Sequence, residues 1–298
     1  MVAAARRGVL LSTLRCGLLI AVLGCSGGLD EVRAQERESI RFDAAPGVPV
    51  EATVPDEGGI EVRIGTAGVI QQVAGVVDAD GNARLDHEDV DFDGHPDLVV
   101  RASAGQVNEA VAVYRYDVAS GRLQALRVPS GTQANCDGLW SLSVDVPSRT
   151  LISTCRGGPM WYTDLYRYAG KALYLYRVER MVQLETPAVE AVLDVEVAEE
   201  AGPLAVWSTL AADGRVLEHA VAGGLAVPAH GVPLKGVAAR VVASRQPLHT
   251  APGDTDTRRY LVAGDRVELL DERDGWLQVR YRNPSKGPVL GWVPVALP

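Results

Sequence analysis

Apolar and polar residues alternate with a period of two in many short segments of this chain. In residues 140–146 every second side chain is apolar, which is typical of a half-buried β-strand. Turns containing glycine separate the segments, and no helical period of 3.6 residues persists between residues 60 and 182. The pattern predicts an all-β fold, an antiparallel sandwich or barrel, with strands at 60–64, 69–73, 110–117, 122–126, 140–146, 149–154, 162–168 and 173–178.

The distribution of glycine, proline and charge divides the chain into segments. Residues 25–58 and 223–236 are rich in glycine and proline, so we interpret them as a flexible tether and a linker. These two segments delimit a β domain at 59–222 and a second unit of short strands at 237–298.

The N-terminus has the features of an export signal. Its first 24 residues carry three arginines and no acid, and an apolar run occupies 18–23. This pattern is typical of a secretory signal and is too short to span a membrane. Residues 22–26, Val-Leu-Gly-Cys-Ser, resemble the lipobox of bacterial lipoproteins, which implies acylation of Cys25. The alternative is cleavage after Ala34, which leaves a soluble product. Both place the protein outside the cytoplasm, in the periplasm or envelope.

The chain is acidic, with a net charge of −9, and removal of the signal makes it more so. This charge argues against nucleic acid as a partner and suits a basic protein. The five histidines are scattered. They have neither the spacing of a metal site nor that of a nucleophile motif. We therefore expect a binding protein and not an enzyme.

Two cysteines besides Cys25 remain after removal of the signal, Cys136 and Cys155. An even pair in an oxidising compartment predicts a structural disulfide. A loop of this size would make the bond stabilising by about 3 kcal/mol.

The most specific pattern is the acidic segment 89–97, Asp-Val-Asp-Phe-Asp-Gly-His-Pro-Asp. Carboxylates at relative positions 1, 3, 5 and 9, glycine at 6 and a carbonyl at 7 can wrap one hard cation. An EF-hand has glutamate at position 12, where this chain has Val100, so the loop leads into a strand. We predict a structural Ca²⁺ site formed by Asp89, Asp91, Asp93, His95 and Asp97.

Two questions about this loop stay open at the level of sequence. The segment is also compatible with an acidic surface turn that binds no metal. The upstream Asp86 and Glu88 either complete the coordination or only add negative charge. Alternating carboxylates around a glycine fit calcium better than a catalytic magnesium ion.

Four further motifs follow the acidic loop in order: Gly105-x-x-Asn108, Tyr114-x-Tyr116-Asp117, Ser153-x-x-Arg156-x-Gly158 and Tyr166-Arg167-Tyr168. Together with the loop they resemble periplasmic bacterial lipoproteins related to inhibitors of invertebrate-type lysozymes. Some members of such groups resemble immunity proteins against lysozyme-like toxins. The resemblance covers about residues 60–182 and implies that the chain blocks a lysozyme-like peptidoglycan hydrolase.

In that family a protruding loop containing Ser-Gly and Tyr enters the lysozyme cleft and contacts the catalytic acid. The matching segment here contains Arg156, Gly157, Gly158, Met160, Trp161 and Tyr162. Gly157 stands where the family has serine, so one polar contact is missing, whereas Arg156 can pair with a carboxylate. The aromatic residues are either interface anchors or the buried start of a strand.

Three motifs in the last unit are led by glycine: Gly264-Asp265, Gly275-Trp276 and Gly291-Trp292-Val293. In this order they resemble the bacterial SH3 domain, which implies a small β-barrel that sometimes binds peptidoglycan peptides. Tyr281 and a partly exposed Trp292 would line its groove, and Trp276 would lie in the core. The alternative to an inhibitor is therefore an envelope scaffold that holds peptidoglycan or a protein through this groove.

Overall fold

The structure is a computed structural model that describes residues 38–55, 59–129, 131, 133–184 and 186–295. Its regular structure is almost entirely antiparallel β-strand, which confirms the predicted all-β class. The exceptions are the helix α1 (Thr186–Glu190) and a 3-10 helix (Glu199–Ala201). Neither of these helices has the length and hydropathy needed to cross a membrane. The predicted signal sequence and Cys25 lie outside the described residues.

The first sheet contains four strands in sequential order: β1 (Ser39–Ala45), β2 (Val48–Thr53), β3 (Ile60–Ile64) and β4 (Val69–Val73). The hairpin of β1 and β2 occupies residues for which the sequence predicts a flexible tether, and that prediction is wrong there. Alternation explains the difference, because Phe42, Val50 and Ala52 are buried on one face while charged residues occupy the other.

The second sheet contains β5 (Arg84–Glu88), β6 (Asp97–Ala104), β7 (Asn108–Asp117) and β8 (Arg122–Ala125), and β9 (Leu139–Trp140) also pairs with β7. Apolar side chains of the first and second sheets form one shared core. The side-chain amide of Gln71 joins the two sheets, because it donates to the carbonyl of Leu123 at 2.7 Å and accepts that residue's amide hydrogen at 3.0 Å.

The third sheet begins with β10 (Ser143–Asp145), β11 (Thr150–Gly157), β12 (Met160–Ala169) and β13 (Ala172–Met181). The chain then forms β14 (Leu193–Glu196), which joins another sheet, and returns with β15 (Leu204–Leu210) and β16 (Val216–Gly223). Leu151 and Tyr166 of this sheet pack against Val99 and Val113 of the second sheet. Strand β6 is consequently buried over most of its length.

The predicted strand at 140–146 is split between two sheets. Ser141 has a φ of +40°, so the chain turns between β9 and β10. Strand β9 pairs with β7, whereas β10 pairs with β11. The alternation predicts the burial of Leu142 correctly, but Val146 is 62% exposed.

The remaining strands are β17 (Ala238–Val241), β18 (Arg245–Pro247), β19 (Tyr260–Val262), β20 (Arg266–Arg273), β21 (Trp276–Asn283) and β22 (Gly287–Pro294). The fourth sheet has the order β14-β17-β20-β21-β22, and β18 pairs with β19. Val206 and Val221 of the third sheet share a core with Val267 and Val279. The C-terminal strands therefore pack on the third sheet. Their own sheet also contains β14, which precedes the predicted linker in the sequence.

The residues predicted to form a linker lie against the third sheet. Arg177 on β13 is 1% exposed, and its guanidinium donates to the carbonyls of Ala229 at 2.8 Å and Val232 at 2.5 Å. Nε2 of His230 lies 3.5 Å from a carboxylate oxygen of Asp145. The segment 224–237 thus lacks regular structure but packs closely on the sheet.

Candidate functional site

The acidic loop runs between β5 and β6, and its residues alternate between two environments. Oxygen atoms of Asp89, Asp91 and Asp97 lie within 4.8 Å of one another. Val90 and Phe92, which stand between the acids, are buried in the core of the second and third sheets. The apolar side chains therefore anchor the loop while three carboxylates converge.

Backbone amides orient these carboxylates. Asp97 accepts the amide hydrogen of Val90 at 3.0 Å. Asp89 accepts the amide hydrogens of Asp93 and Gly94, both at 3.0 Å. Gly94 has a φ of +92°, a conformation that favours glycine, so the sharp turn predicted from sequence is present.

The predicted ligand set is only partly assembled. The carboxylate of Asp93 is exposed, accepts the amide hydrogen of His95 at 2.8 Å, and is not among the three that converge. The backbone amide of His95 therefore makes a hydrogen bond within the loop, to Asp93. The structure therefore brings together Asp89, Asp91 and Asp97 and leaves Asp93 beside them.

The three carboxylates concentrate negative charge in a largely buried place. Burial, and then the charge of Asp91, raises the pKa of Asp97 to about 8. Burial, and then the charge of Asp93, raises the pKa of Asp91, although Arg115 lies 3.3 Å from its Oδ2. Oδ1 of Asp91 is buried and has no hydrogen-bond partner. A divalent cation would supply that partner and offset the repulsion, so the cluster could hold a metal ion.

A basic residue in the turn between β10 and β11 supports the loop. Phe92 has a φ of +61°, which is uncommon for a residue other than glycine. Arg149 donates to its carbonyl at 3.1 Å, and the guanidinium carbon lies 5.3 Å from the Phe92 ring centroid. Arg115 and Arg149 reach the loop from distant parts of the chain, so no local pattern in the sequence predicts their contacts with it.

The upstream acids Asp86 and Glu88 do not extend the cluster. Both face Arg101, whose side chain is 6% exposed: Glu88 pairs closely with Nη2, and Asp86 lies 3.8 Å from Nε. Glu109 adds a third ion pair at 3.1 Å. These acids neutralise a buried guanidinium, which would be costly to leave uncompensated.

Residues 156–162 form a tight hairpin, whereas the resemblance implied a protruding loop. Gly157 pairs with Met160 in the ladder of β11 and β12, so only Gly158 and Pro159 remain to make the turn. Gly158 has a φ of +60°, as such a turn requires. The projection beyond the sheet is therefore short.

The side chains at this hairpin form a mixed basic and aromatic surface. Arg156 is exposed, while Met160, Trp161 and Tyr162 are half-buried. The guanidinium carbon of Arg156 lies 5.9 Å from the Trp161 ring centroid, and its Nε donates to the carbonyl of Gly158 at 3.1 Å. Trp161 and Tyr162 therefore lie at the start of a strand, as one interpretation predicts, and remain partly accessible to a partner, as the other requires.

Two cross-links hold the base of the hairpin. The side chain of Asn108 accepts the amide hydrogen of Arg156 at 2.8 Å and donates to its carbonyl at 3.1 Å. Cys155 forms the predicted disulfide with Cys136. The buried carboxylate of Asp164 accepts the amide hydrogen of Cys136 at 2.9 Å. These contacts fix the hairpin to the second sheet and to the segment before β9.

The acidic loop and the hairpin lie at opposite ends of β6. Asp97 begins this strand of eight residues, and Asn108, which holds the hairpin, begins β7 just after the strand ends. Eight residues of strand span about 25 Å. A cation in the loop would therefore stabilise the framework without touching a molecule bound at the hairpin.

The two residues predicted to line a groove in the C-terminal unit lie on different faces. Trp292 stands opposite Gln278 in the ladder of β21 and β22, whereas Tyr281 packs against the C-terminal core. Trp292 is 6% exposed and Trp276 is half-buried, so the predicted exposures are wrong. Trp292 is an interior residue of β22. Arg273 covers its ring, with the guanidinium carbon 5.5 Å from the ring centroid.

No protein-family model matches the chain, and no curated protein matches it. Among solved structures, the chain is similar to a Xanthomonas type IV secretion system related protein. The two are 19% identical, the match covers 60% of this chain and 91% of the other, and the TM-score is 0.33.

Proposed function

We propose that this chain is a non-catalytic binding protein of the bacterial cell envelope that blocks a lysozyme-like peptidoglycan hydrolase. The observation that carries the proposal is the cross-linked hairpin of residues 156–162. It presents one guanidinium and three half-buried apolar or aromatic side chains on a rigid sheet. Arginine and aromatic side chains dominate protein–protein affinity, and rigidity reduces the entropic cost of binding.

Arg156 is the residue proposed to contact the catalytic carboxylate of the target. Its guanidinium is exposed, and its contacts with Trp161 and the Gly158 carbonyl set its direction before binding. Arginine pairs strongly with carboxylates, on which glycosidases depend. The net charge of −9 would add attraction to a basic hydrolase at long range.

The same proposal assigns Ca²⁺ a structural role in the acidic loop. Asp89, Asp91 and Asp97 would hold the ion, and their convergence is the supporting observation. The signal and lipobox-like sequence support a periplasmic protein anchored through Cys25.

Inhibition of peptidoglycan hydrolysis tests the proposal. The mature protein is titrated against lysozymes of several types, and against any muramidase encoded next to its gene, while the turbidity of a cell-wall suspension is followed. We expect at least one hydrolase to be slowed. Arg156→Glu should weaken that inhibition by at least about tenfold, because a carboxylate would face the target's acid. Arg282→Glu, at an exposed position of β21, is the control with the same charge change.

Three outcomes would contradict the proposal. Equal inhibition by the wild-type and Arg156→Glu proteins would exclude the hairpin as the contact. Retention of the protein on a wall preparation without inhibition of any hydrolase would favour the envelope scaffold. Cleavage of glycan strands by the pure protein would show that it is an enzyme.

A further inference from the structure

An apolar groove with a volume of about 610 Å³ lies beside β14. Strand β14 lines the groove together with the helix α1, residues 202–204, Val182 and Leu184. Apolar side chains dominate the lining, among them Leu184, Leu193, Val195, Leu204 and Val242. A groove of this size and character is typical of sites that bind ligands or peptide side chains.

The strand at this groove has a free edge. In the fourth sheet β14 is the terminal strand, and β17 is its one partner among the described residues. On its other edge the carbonyl of Val195 already accepts the amide hydrogen of Val197 at 3.2 Å, and the remaining backbone groups are open to pairing. A free edge accepts an extended peptide as an added strand, with main-chain hydrogen bonds supplying affinity.

Side chains alternate along β14 in a way that specifies such a peptide. Leu193 is buried, Val195 is half-buried and both line the groove, whereas Asp194 and Glu196 are exposed, and Asp194 also borders the groove. Glu190, at the end of α1, adds a further acid at the rim. No lysine or arginine occurs among the described residues that line the groove.

We propose that this groove binds an extended peptide in which lysine or arginine alternates with apolar residues, as a strand added to β14. The apolar side chains of the peptide enter the groove beside Leu193 and Val195. Its basic side chains lie on the other face, next to Asp194 and Glu196. Residues directly opposite each other in an antiparallel pair interact, and opposite charges are favourable there.

The negative charge of the protein favours a basic peptide over a second copy of the chain as the molecule that binds at this edge. A second copy of this protein, with its net charge of −9, would bring further acids to the edge, and like charges opposite one another are unfavourable. A basic peptide meets no such repulsion. The site is separate from the hairpin of residues 156–162, so this inference does not depend on the proposed inhibition.

Fluorescence anisotropy with synthetic peptides tests the inference on the mature protein. The probe is labelled Lys-Val-Lys-Val-Lys-Val-Lys, and the comparison peptides replace every lysine with glutamate or the central valine with proline. We expect the lysine peptide to bind at micromolar concentrations, the glutamate peptide to bind at least about tenfold more weakly, and the proline to reduce binding similarly. Proline removes an amide hydrogen needed for strand pairing.

A charge-reversed variant provides the decisive comparison. In Glu190→Lys/Glu196→Lys the lysine peptide should bind about tenfold more weakly and the glutamate peptide more tightly than to wild type. Asp43→Lys/Asp80→Lys carries the same charge change at exposed positions outside the groove and should behave as wild type. Gained binding of the glutamate peptide cannot arise from misfolding.

The inference is overturned by any of three results. These are no binding of the lysine peptide up to about 1 mM, equal binding of the lysine and proline peptides, or equal binding of the lysine peptide by the charge-reversed variant and its control. The last result would mean that only the overall charge of the protein matters.

Discussion

Glu179 on β13 is 2% exposed, although it carries an ionisable carboxyl group. Its Oε1 accepts the amide hydrogen of Thr163 at 2.8 Å, while Oε2 is buried without a hydrogen-bond partner. Burial is the main cause that raises the pKa of Glu179 to about 8. The side chain is therefore neutral at neutral pH in the folded protein and ionised in the unfolded chain, whose glutamate pKa is near 4.5.

The first prediction concerns the pH dependence that follows. Because the folded pKa is raised, the stability from Glu179 is fully present below the unfolded pKa and is lost as pH rises through 8. We expect the free energy of unfolding of the wild-type protein to fall by about 1 kcal/mol per pH unit between pH 5 and 8 because of Glu179. Glu179→Gln keeps the acceptor and stays neutral, so it should not show this fall. Urea unfolding at several pH values measures this difference. The prediction is contradicted if the difference in free energy of unfolding between Glu179→Gln and wild type does not vary with pH. Glu200→Gln, at an exposed position, is the control.

The acidic loop shows how one element serves two purposes at the scale of a few residues. Alternation sends Asp89 and Asp91 toward Asp97 and sends Val90 and Phe92 into the core. The loop is thereby anchored by apolar burial, even though its carboxylates repel one another.

The second prediction is that Ca²⁺ raises the melting temperature of the mature protein. Saturation at about 100 times Kd would stabilise by about 2.7 kcal/mol, or roughly 5–10 °C for a chain of this size. Asp91→Asn and Asp97→Asn should each abolish most of this shift, whereas Asp93→Asn, outside the converging cluster, should retain most of it. Thermal unfolding in chelator and in calcium measures the shift.

The matched aspartates make this experiment discriminating. An unchanged melting temperature of the wild-type protein would exclude the metal. A full calcium shift in Asp97→Asn would mean that the ion binds elsewhere.

At the scale of the whole molecule, the segment 224–237 connects the third sheet to the C-terminal strands, and a side chain of the third sheet binds its backbone. Arg177 donates to the carbonyls of Ala229 and Val232, and also to the hydroxyl of Thr209 at 2.9 Å. Glu218 lies 3.6 Å from its guanidinium. One buried side chain therefore keeps this connection packed on the sheet.

The third prediction concerns removal of this anchor. Arg177→Met should destabilise the protein by about 3 kcal/mol, because two carbonyls lose their donor and Glu218 loses its ion pair. Arg177→Lys should cost less but not restore stability, because one ammonium cannot replace the fork of a guanidinium. Urea unfolding measures both variants, and limited proteolysis should show faster cleavage within 224–237. Wild-type stability and an unchanged cleavage pattern in Arg177→Met would contradict the anchoring role, with Arg282→Met as the exposed control.

Local pattern was sufficient to predict the β class, most strands of the first three sheets, the turn at Gly94 and the pairing of Cys136 with Cys155. These features depend on alternation, on a glycine in a tight turn and on an even number of cysteines, all of which are visible over a few residues. Local pattern also located the acidic loop, but only the structure shows that Asp93 lies outside the converging carboxylates.

Contacts between distant segments were decided by the tertiary structure alone. Arg115 on β7 and Arg149 in the turn before β11 support the acidic loop, Asn108 holds the hairpin, and Arg177 holds the predicted linker. The burial of Trp292 likewise depends on which surfaces cover it. The sequence by itself determined most of the segments that become strands, because alternation is local, although it did not show the break at Ser141 between β9 and β10. It did not determine which strands, side chains and edges meet, because burial and hydrogen bonding at these positions come from residues far away in the chain.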